Sequence, residues 1–361
     1  GVLGFTKSLA HEWSASLVKA IDVDPAEGSE KLAREIYAEL KQPDRHSEVA
    51  WKGGERFGVS LEPLAPKKGQ NVLGPNSVIA ITGGARGLGA KFARVLAKQG
   101  HRLALIGRAE ESAEVRALLA ELPGASYHRA DVRDAASLTW ALGDVRSRHG
   151  RIDGVVNNAG VLRDKSFAKM DLADFRFVLD VHLMGAVHLC KAAWPHMVAQ
   201  KYGRIVLTTS SSGLYGNFGQ SNYGAAKLAL VGLMQTLALE GAKSDIRVNC
   251  LAPTAATRMT ENLFPPDMLQ AFGPEAVVPA MLVMASQDAP TRTTLCAGAG
   301  AFEAAHITLT RGAYVGIGPD ADSHLAERLA EVTDRAGETV PGSGNGQGEN
   351  ELRLARAARA A

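Results

Sequence analysis

The sequence predicts an α/β protein: a doubly wound parallel sheet of about seven strands, preceded by a small partial module of the same kind. Three observations carry this. From Ser77 to about residue 300, short apolar runs alternate with helix-length stretches. A Gly-rich turn, Thr82-Gly83-Gly84-Ala85-Arg86-Gly87-Leu88-Gly89, sits between the first strand and the first helix of that alternation. The first 25 residues echo a stretch near its far end, with Gly4, Leu9, Ala10 and Glu12 matching Gly232, Leu237, Ala238 and Glu240.

Taken in order, residues 1–25 read as a helix and a strand, whose Val18 to Ile21 region matches Ile246–Leu251. The echo suggests the closing part of an earlier, related domain. An amphipathic helix follows over 29–41, then short alternating strands over 48–64 around Lys52-Gly53-Gly54-Glu55. Pro63, Pro66, Lys67, Lys68, Gly69 and Gly74-Pro75 mark a linker. The alternation then runs strand 78–81, helix 87–99, strand 103–106, helix 110–121, strand 125–129, helix 134–149 and strand 154–156. Long helices at 172–199 and 222–241 flank a strand at 204–209, and strands follow at 245–251 and 292–297, with a helix near 275–285 between them. Such alternation covers a parallel sheet on both faces, the Rossmann-like arrangement. Three segments are expected: 1–70, 71–320, and a helical or flexible tail 321–361, Gly/Ser-rich over Gly342–Gly348.

Composition excludes several classes. At 361 residues, net charge +2 and 22% charged, the chain has no bulk field for nucleic acid or a membrane surface. No run reads as long enough to span a bilayer, and no signal peptide is seen. Cys190, Cys250 and Cys296 lie in apolar surroundings and are expected as reduced, buried thiols of a cytoplasmic protein. The ten His have no ligand spacing, so no metal is expected. The first residue is Gly, consistent with a piece of a longer chain.

The Gly-rich turn suits a dinucleotide: its glycines let backbone approach a pyrophosphate at the helix N-terminus. The alternative is a plain tight turn. At the end of the second strand, where an acid would hold the ribose of NAD, the chain has Gly107-Arg108, with Arg86 in the turn. Two arginines there pair a 2′-phosphate and favour NADP(H) over NAD(H), or else are solvated surface charges. Asp131-Val132 is placed to touch the adenine. Asn157-Asn158-Ala159-Gly160 is placed to line the nicotinamide ribose or to brace the central strands as a turn.

The chemistry centres on Ser210, Tyr223 and Lys227. Four residues apart near the start of one helix, Tyr223 and Lys227 share a face. An ammonium beside a phenol favours the phenolate, so Lys227 is expected to draw Tyr223 down from its ordinary pKa of about 10 and make it a general acid or base. Ser210, at a strand end, adds a hydroxyl for the same substrate oxygen. The pair alone would fit two surface helix residues.

With these residues assembled, the chain from about 77 to 300 resembles the short-chain dehydrogenase/reductase family, through Thr82-Gly83, Gly87, Gly89, Asn157-Asn158-Ala159-Gly160, Ser210, Tyr223 and Lys227. The resemblance implies Tyr223 as acid/base, Lys227 as its partner and ribose ligand, Ser210 as orienter of the carbonyl, and Thr82, Gly83, Arg86, Gly87, Leu88, Gly89, Arg108, Asp131, Val132, Asn158, Ala159, Gly160, Pro253 and Thr254 as cofactor contacts. The family's fourth member, an Asn, falls at His182, which either holds the same water or is a buried structural His.

Two subfamilies are visible. Gly160–Phe167, Gly213–Gln220, Ala252–Thr260 and the His182 position resemble the dehydrogenase region of peroxisomal-type multifunctional enzymes that handle 3-hydroxyacyl-CoA, generally with NAD. Residues 1–70 and Gly107-Arg108 resemble a ketoreductase of a polyketide or polyunsaturated fatty-acid synthase, which carries a cofactor-less Rossmann half before the catalytic half and uses NADPH. The arginines favour NADPH and reduction of a 3-oxoacyl thioester on CoA or acyl-carrier protein. The alternatives are NAD-dependent oxidation of a 3-hydroxyacyl-CoA or another secondary alcohol, and a non-catalytic nucleotide-binding module. The loop Thr254–Phe272 is expected as a lid or as ordinary packing. Apolar faces on the two long helices imply a homo-oligomer, unless the front module caps them.

Overall fold

The computed structural model describes residues 2–13, 15–58, 73–74, 76–256 and 266–360. Most of the Pro/Gly linker, and residues 257–265 of the expected lid, lie outside them. The chain divides into two units, Gly1–Gly69 and Gln70–Ala361.

The first unit runs α1 (Val2–Glu12), β1 (Ala20–Val23), α2 (Ser29–Leu40), β2 (Glu48–Lys52) and β3 (Glu55–Gly58). β1 pairs β2 in parallel and β2 pairs β3 antiparallel. Gly53 and Gly54 close that hairpin with φ of 65° and 85°, values that suit glycine. A charge cluster stands beside this sheet. The Glu39 carboxylate accepts from Arg56 at 2.5 and 2.7 Å, from Lys19 at 2.6 Å and from Trp51 Nε1 at 3.2 Å. Those donors, Arg56 first, hold its pKa down to about 2.

The second unit alternates strand and helix. In order come β4 (Val78–Thr82), α3 (Gly87–Lys98), β5 (Arg102–Gly107), α4 (Ala113–Glu121), β6 (Ser126–Arg129), α5 (Ala135–His149) and β7 (Gly154–Asn157). Next are α6 (Leu172–Leu179), α7 (Gly185–Gln200), β8 (Gly203–Thr208), α8 (Ser211–Tyr215), α9 (Ser221–Gly241) and β9 (Ile246–Pro253). After α10 (Pro266–Ala271) and α11 (Val278–Ala285), β10 (Thr294–Gly298) and β11 (Ala301–Ala305) close the sheet. The tail carries α12 (Ala321–Glu327), α13 (Leu329–Val332) and α14 (Asn345–Ala360). α14 begins inside the Gly/Ser-rich stretch expected to be flexible.

The sheet has eight strands in the order β11-β10-β9-β8-β7-β4-β5-β6, one more than the sequence suggests. Seven are parallel; β11 folds back antiparallel on β10. β11 is mostly exposed, so it has no buried alternation to betray it. The order reverses between β4 and β7, and the crevice at the carboxyl ends of those strands is where such sheets place their ligands.

Apolar side chains form two cores. One holds residues of α5, α7 and α9, including Leu230, Val231, Met234 and Ala238; the other holds residues of α3, α4 and α11. Against the expectation that no run is long enough to span a bilayer, helix Ser221–Ser244 is long and apolar enough, at a mean hydropathy of 1.2, to pass as a membrane span by length and composition. Its core positions pack in the fold. Cys190 and Cys250 are buried free thiols, whereas Cys296 is only half-buried, because β10 is covered less well near the sheet edge.

Candidate active site

Ser210 lies just after β8 and caps α8: its Oγ accepts the Ser212 N–H at 3.2 Å. Gly213 lets α8 lie on α9, since a Cβ there would sit 2.8 Å from Leu228 N and from Lys227 Cβ. Ser210 is thereby brought beside Tyr223, on which its hydroxyl acts. Lys227 is fully enclosed and donates from Nζ to Thr208 O at 2.5 Å, while Thr209 Oγ1 donates to Lys227 O at 2.6 Å. The Lys227 nitrogen lies 5.4 Å from the centre of the Tyr223 ring.

The expected electrostatics are reversed. Burial pushes Tyr223 above its ordinary value, with the Ser210 hydroxyl opposing and the Asp164 charge reinforcing the rise. Burial also lowers Lys227 to about 7. Spacing along a helix reports proximity but not desolvation, which is the largest influence on both groups here. Tyr223 is therefore held as a protonated phenol, a proton donor.

His182 stands edge-on to Tyr223, with ring centres 5.1 Å apart and planes at 89°. It sits in a π-helical turn, Asp180–Met184, between α6 and α7, a wide turn often found at functional sites. Its Nε2 lies 2.8 Å from Val161 O and 3.1 Å from Val161 N. Gly160 must be Gly, because a Cβ would lie 2.6 Å from His182 Cε1. Nδ1 is buried without a partner. Burial first, then the Lys227 charge, lower the His182 pKa to about 3. An unfolded chain, at 6.5, takes up a proton that the folded ring refuses, so stability falls as pH drops from 6.5 towards 3. His182→Asn is expected to remove this loss. Urea midpoints of the two proteins should draw together, or cross, below pH 6.5; a difference independent of pH would contradict the burial argument.

The Gly-rich turn meets the end of β7. Thr82 Oγ1 accepts the N–H of Asn158 at 3.0 Å and of Ala159 at 3.2 Å, and Asn158 Nδ2 donates to the carbonyls of Thr82 and Gly83. Asn158 therefore braces the turn through its side-chain amide. Gly83 has φ of 63° and stands 3.0 Å, Cβ position to Cα, from Ala159; a Cβ on Gly89 would lie 2.4 Å from Gly83 O. Gly87 has φ of 51°, and nothing lies within 4 Å of where its Cβ would be. Bare backbone at the N-terminus of α3 fits a pyrophosphate.

The other expected contacts vary. Arg86 reaches Glu114 at 3.5 Å across an exposed surface, and Arg108 is exposed at the end of β5. Asp131 is bound to Arg133, at 2.6 Å for Nη2, rather than standing free. The Val132 side chain packs against Gly185, and Val132 O accepts from His188 Nδ1. Thr254 N donates to Ala297 O at 2.8 Å beside Pro253. Two groups escaped the sequence reading. Tyr127 fills the place of a side chain at Gly107, its hydroxyl donating to Ala109 O at 2.8 Å, and both Arg86 and Arg129 act on it electrostatically. Asp164, held by Gln220 Nε2 at 2.7 Å, acts on Tyr223. Neither has a spacing signal.

The fold and this cluster define a nucleotide-dependent oxidoreductase. A family profile described as short chain dehydrogenase matches residues 77–267. A short-chain type dehydrogenase/reductase of Mycobacterium tuberculosis, Rv0148, is 41% identical over 281 residues, covering 73% of this chain and 96% of that protein. The peroxisomal hydratase-dehydrogenase-epimerase of Saccharomyces cerevisiae is 37% identical over 73% of this chain, which spans only 31% of its length. Full-length peroxisomal multifunctional enzyme type 2 of Drosophila melanogaster superposes with a TM-score of 0.66 at 28% identity, over 78% of this chain and 50% of that one. The chain belongs to the short-chain dehydrogenase/reductase family, whose members bind NAD(P)(H).

Proposed function

We propose that this protein reduces the 3-carbonyl of a 3-oxoacyl thioester to the 3-hydroxyacyl thioester with NADPH. The observation that carries the reading is the grouping of Ser210, Tyr223 and buried Lys227 at the carboxyl end of β8, with the Lys227 nitrogen 5.4 Å from the Tyr223 ring centre. Ser210 and Tyr223 both donate to the substrate oxygen. As the carbon accepts a hydride, Tyr223 passes its proton to that oxygen. A bound nicotinamide supplies the hydride. Gly83, Gly87, Leu88 and Gly89 would hold its pyrophosphate, and Lys227 its ribose. His182, neutral at working pH, orients Val161 beside the phenol and borders the route of proton resupply.

Arginine at the end of β5, where an acid would select NAD, supports the 2′-phosphate reading. Replacing Arg108 with Asp is expected to weaken NADPH binding by about tenfold or more, the value of a charge-assisted pair, and to leave NADH binding unchanged or tighter. Equilibrium titration of both nucleotides tests this; an unchanged ratio of the two affinities would remove Arg108 from the site. The competing reading is NAD-dependent oxidation of a 3-hydroxyacyl-CoA, favoured by the dehydrogenase named among the yeast enzyme's activities. Exposed Leu228 and Leu239 on α9 support association with a second copy.

A further inference from the structure

The first unit repeats the closing elements of the second. Apart from the short helix α10, inserted between β9 and α11, the order α1–β1–α2–β2–β3 matches α9–β9–α11–β10–β11, and in each the first two strands are parallel and the last turns back antiparallel. The sequences align without a gap, from Gly4 on Gly232 through Leu9 on Leu237 and Glu12 on Glu240 to Pro25 on Pro253. Backbone direction agrees too. Ala20 donates to Ser47 O on the β2 side, as Cys250 donates to Thr293 O on the β10 side. Ile21 and Val23 therefore turn their N–H and C=O to the opposite edge. Their counterparts, Asn249 and Leu251, face β8, where Thr209 N donates to Leu251 O at 2.7 Å.

In the first unit that edge carries no strand among the described residues: β1 is outermost. The helix beside it is bare in the same way. Val2, Leu3 and Phe5 are 74%, 52% and 68% exposed, whereas Leu230 and Val231, the counterparts of the first two, are 0% and 2% exposed in the core. An open edge beside an exposed apolar helix face is a surface that proteins normally cover.

We infer that the outer edge of β1 and the Val2/Leu3/Phe5 face of α1 dock a dehydrogenase-type nucleotide-binding body, whose last strand adds to β1 in parallel as β8 adds to β9. The occupant is an apolar strand with a helix-bearing sheet behind it, identified by the repeat itself. Backbone pairing supplies the register and α1 the buried area.

The alignment supplies the test. Residues 202–228 of this chain, placed directly ahead of Gly1, restore a strand–helix–strand unit in which Leu228 runs into Gly1; Tyr223→Phe in the added copy leaves turnover to report on the native site. Tethering makes the added strand's local concentration about millimolar, so weak affinity cannot hide pairing. Amide hydrogen exchange is read at Ile21 and Val23 against Ala20 and Asp22. In the unextended chain the first two should exchange about tenfold faster or more, and in the extended chain they should slow to match the second two. An extension with residues 202–209 in scrambled order should not slow them. The inference is overturned if Ile21 and Val23 are already slow in the unextended chain, if they stay fast in the extended chain while its turnover is intact, or if the scrambled strand works equally well.

Discussion

Tyr223→Phe should lower turnover by about a thousandfold or more, the scale of losing a positioned general acid, while leaving nucleotide affinity within about threefold. The phenyl ring keeps the edge-on contact with His182, so the fold should hold and only the proton donor is lost. Ser210 keeps its cap on α8 and one hydrogen bond to the substrate oxygen, which leaves some residual catalysis. Steady-state kinetics beside nucleotide titration check this. A variant with turnover within tenfold of the parent would mean that another group donates the proton.

The second large effect concerns stability. The Arg204 side chain, 1% exposed in β8, donates to the carbonyls of Ser286 at 2.8 Å, Gly203 at 2.9 Å, Asp245 at 2.6 Å and Gln287 at 2.5 Å, and to the Asp245 carboxylate at 3.1 Å. The guanidinium thus ties the start of β8 to the turns before β9 and after α11. Arg204→Met fills much of the volume but leaves those acceptors without donors, and should cost about 3–5 kcal/mol. Most of that is the penalty of stranded carbonyls rather than the worth of the ion pair, because Asp245 is 44% exposed and screened. Denaturant unfolding measures it. A loss below about 1 kcal/mol would show that water replaces the guanidinium freely.

Much of the fold was legible because its strands are buried on both faces and its helices lie between turn signals. The limits have particular causes. Arg204 reads as a surface charge in a strand, since its acceptors are carbonyls from distant turns that no side-chain pattern marks. β11 lacks a buried face. The Ser210, Tyr223 and Lys227 juxtaposition follows from spacing, yet the direction of the Tyr223 shift does not, because it depends on how deeply α9 is buried. Asp131, expected beside the adenine, is engaged by its near neighbour Arg133, a pairing that no sequence pattern marks. For His182 the sequence showed an exchanged residue type; only the π-helical turn shows where the ring goes.

The most direct test of the functional account is the loss of nicotinamide absorbance with purified protein and acetoacetyl-CoA, run in parallel with NADPH and NADH. The expected result is turnover with NADPH at least about tenfold above NADH, a margin that one charge-assisted phosphate contact supplies. A preference for NADH, or faster oxidation of 3-hydroxybutyryl-CoA with NAD, would contradict it and assign the site to dehydrogenation.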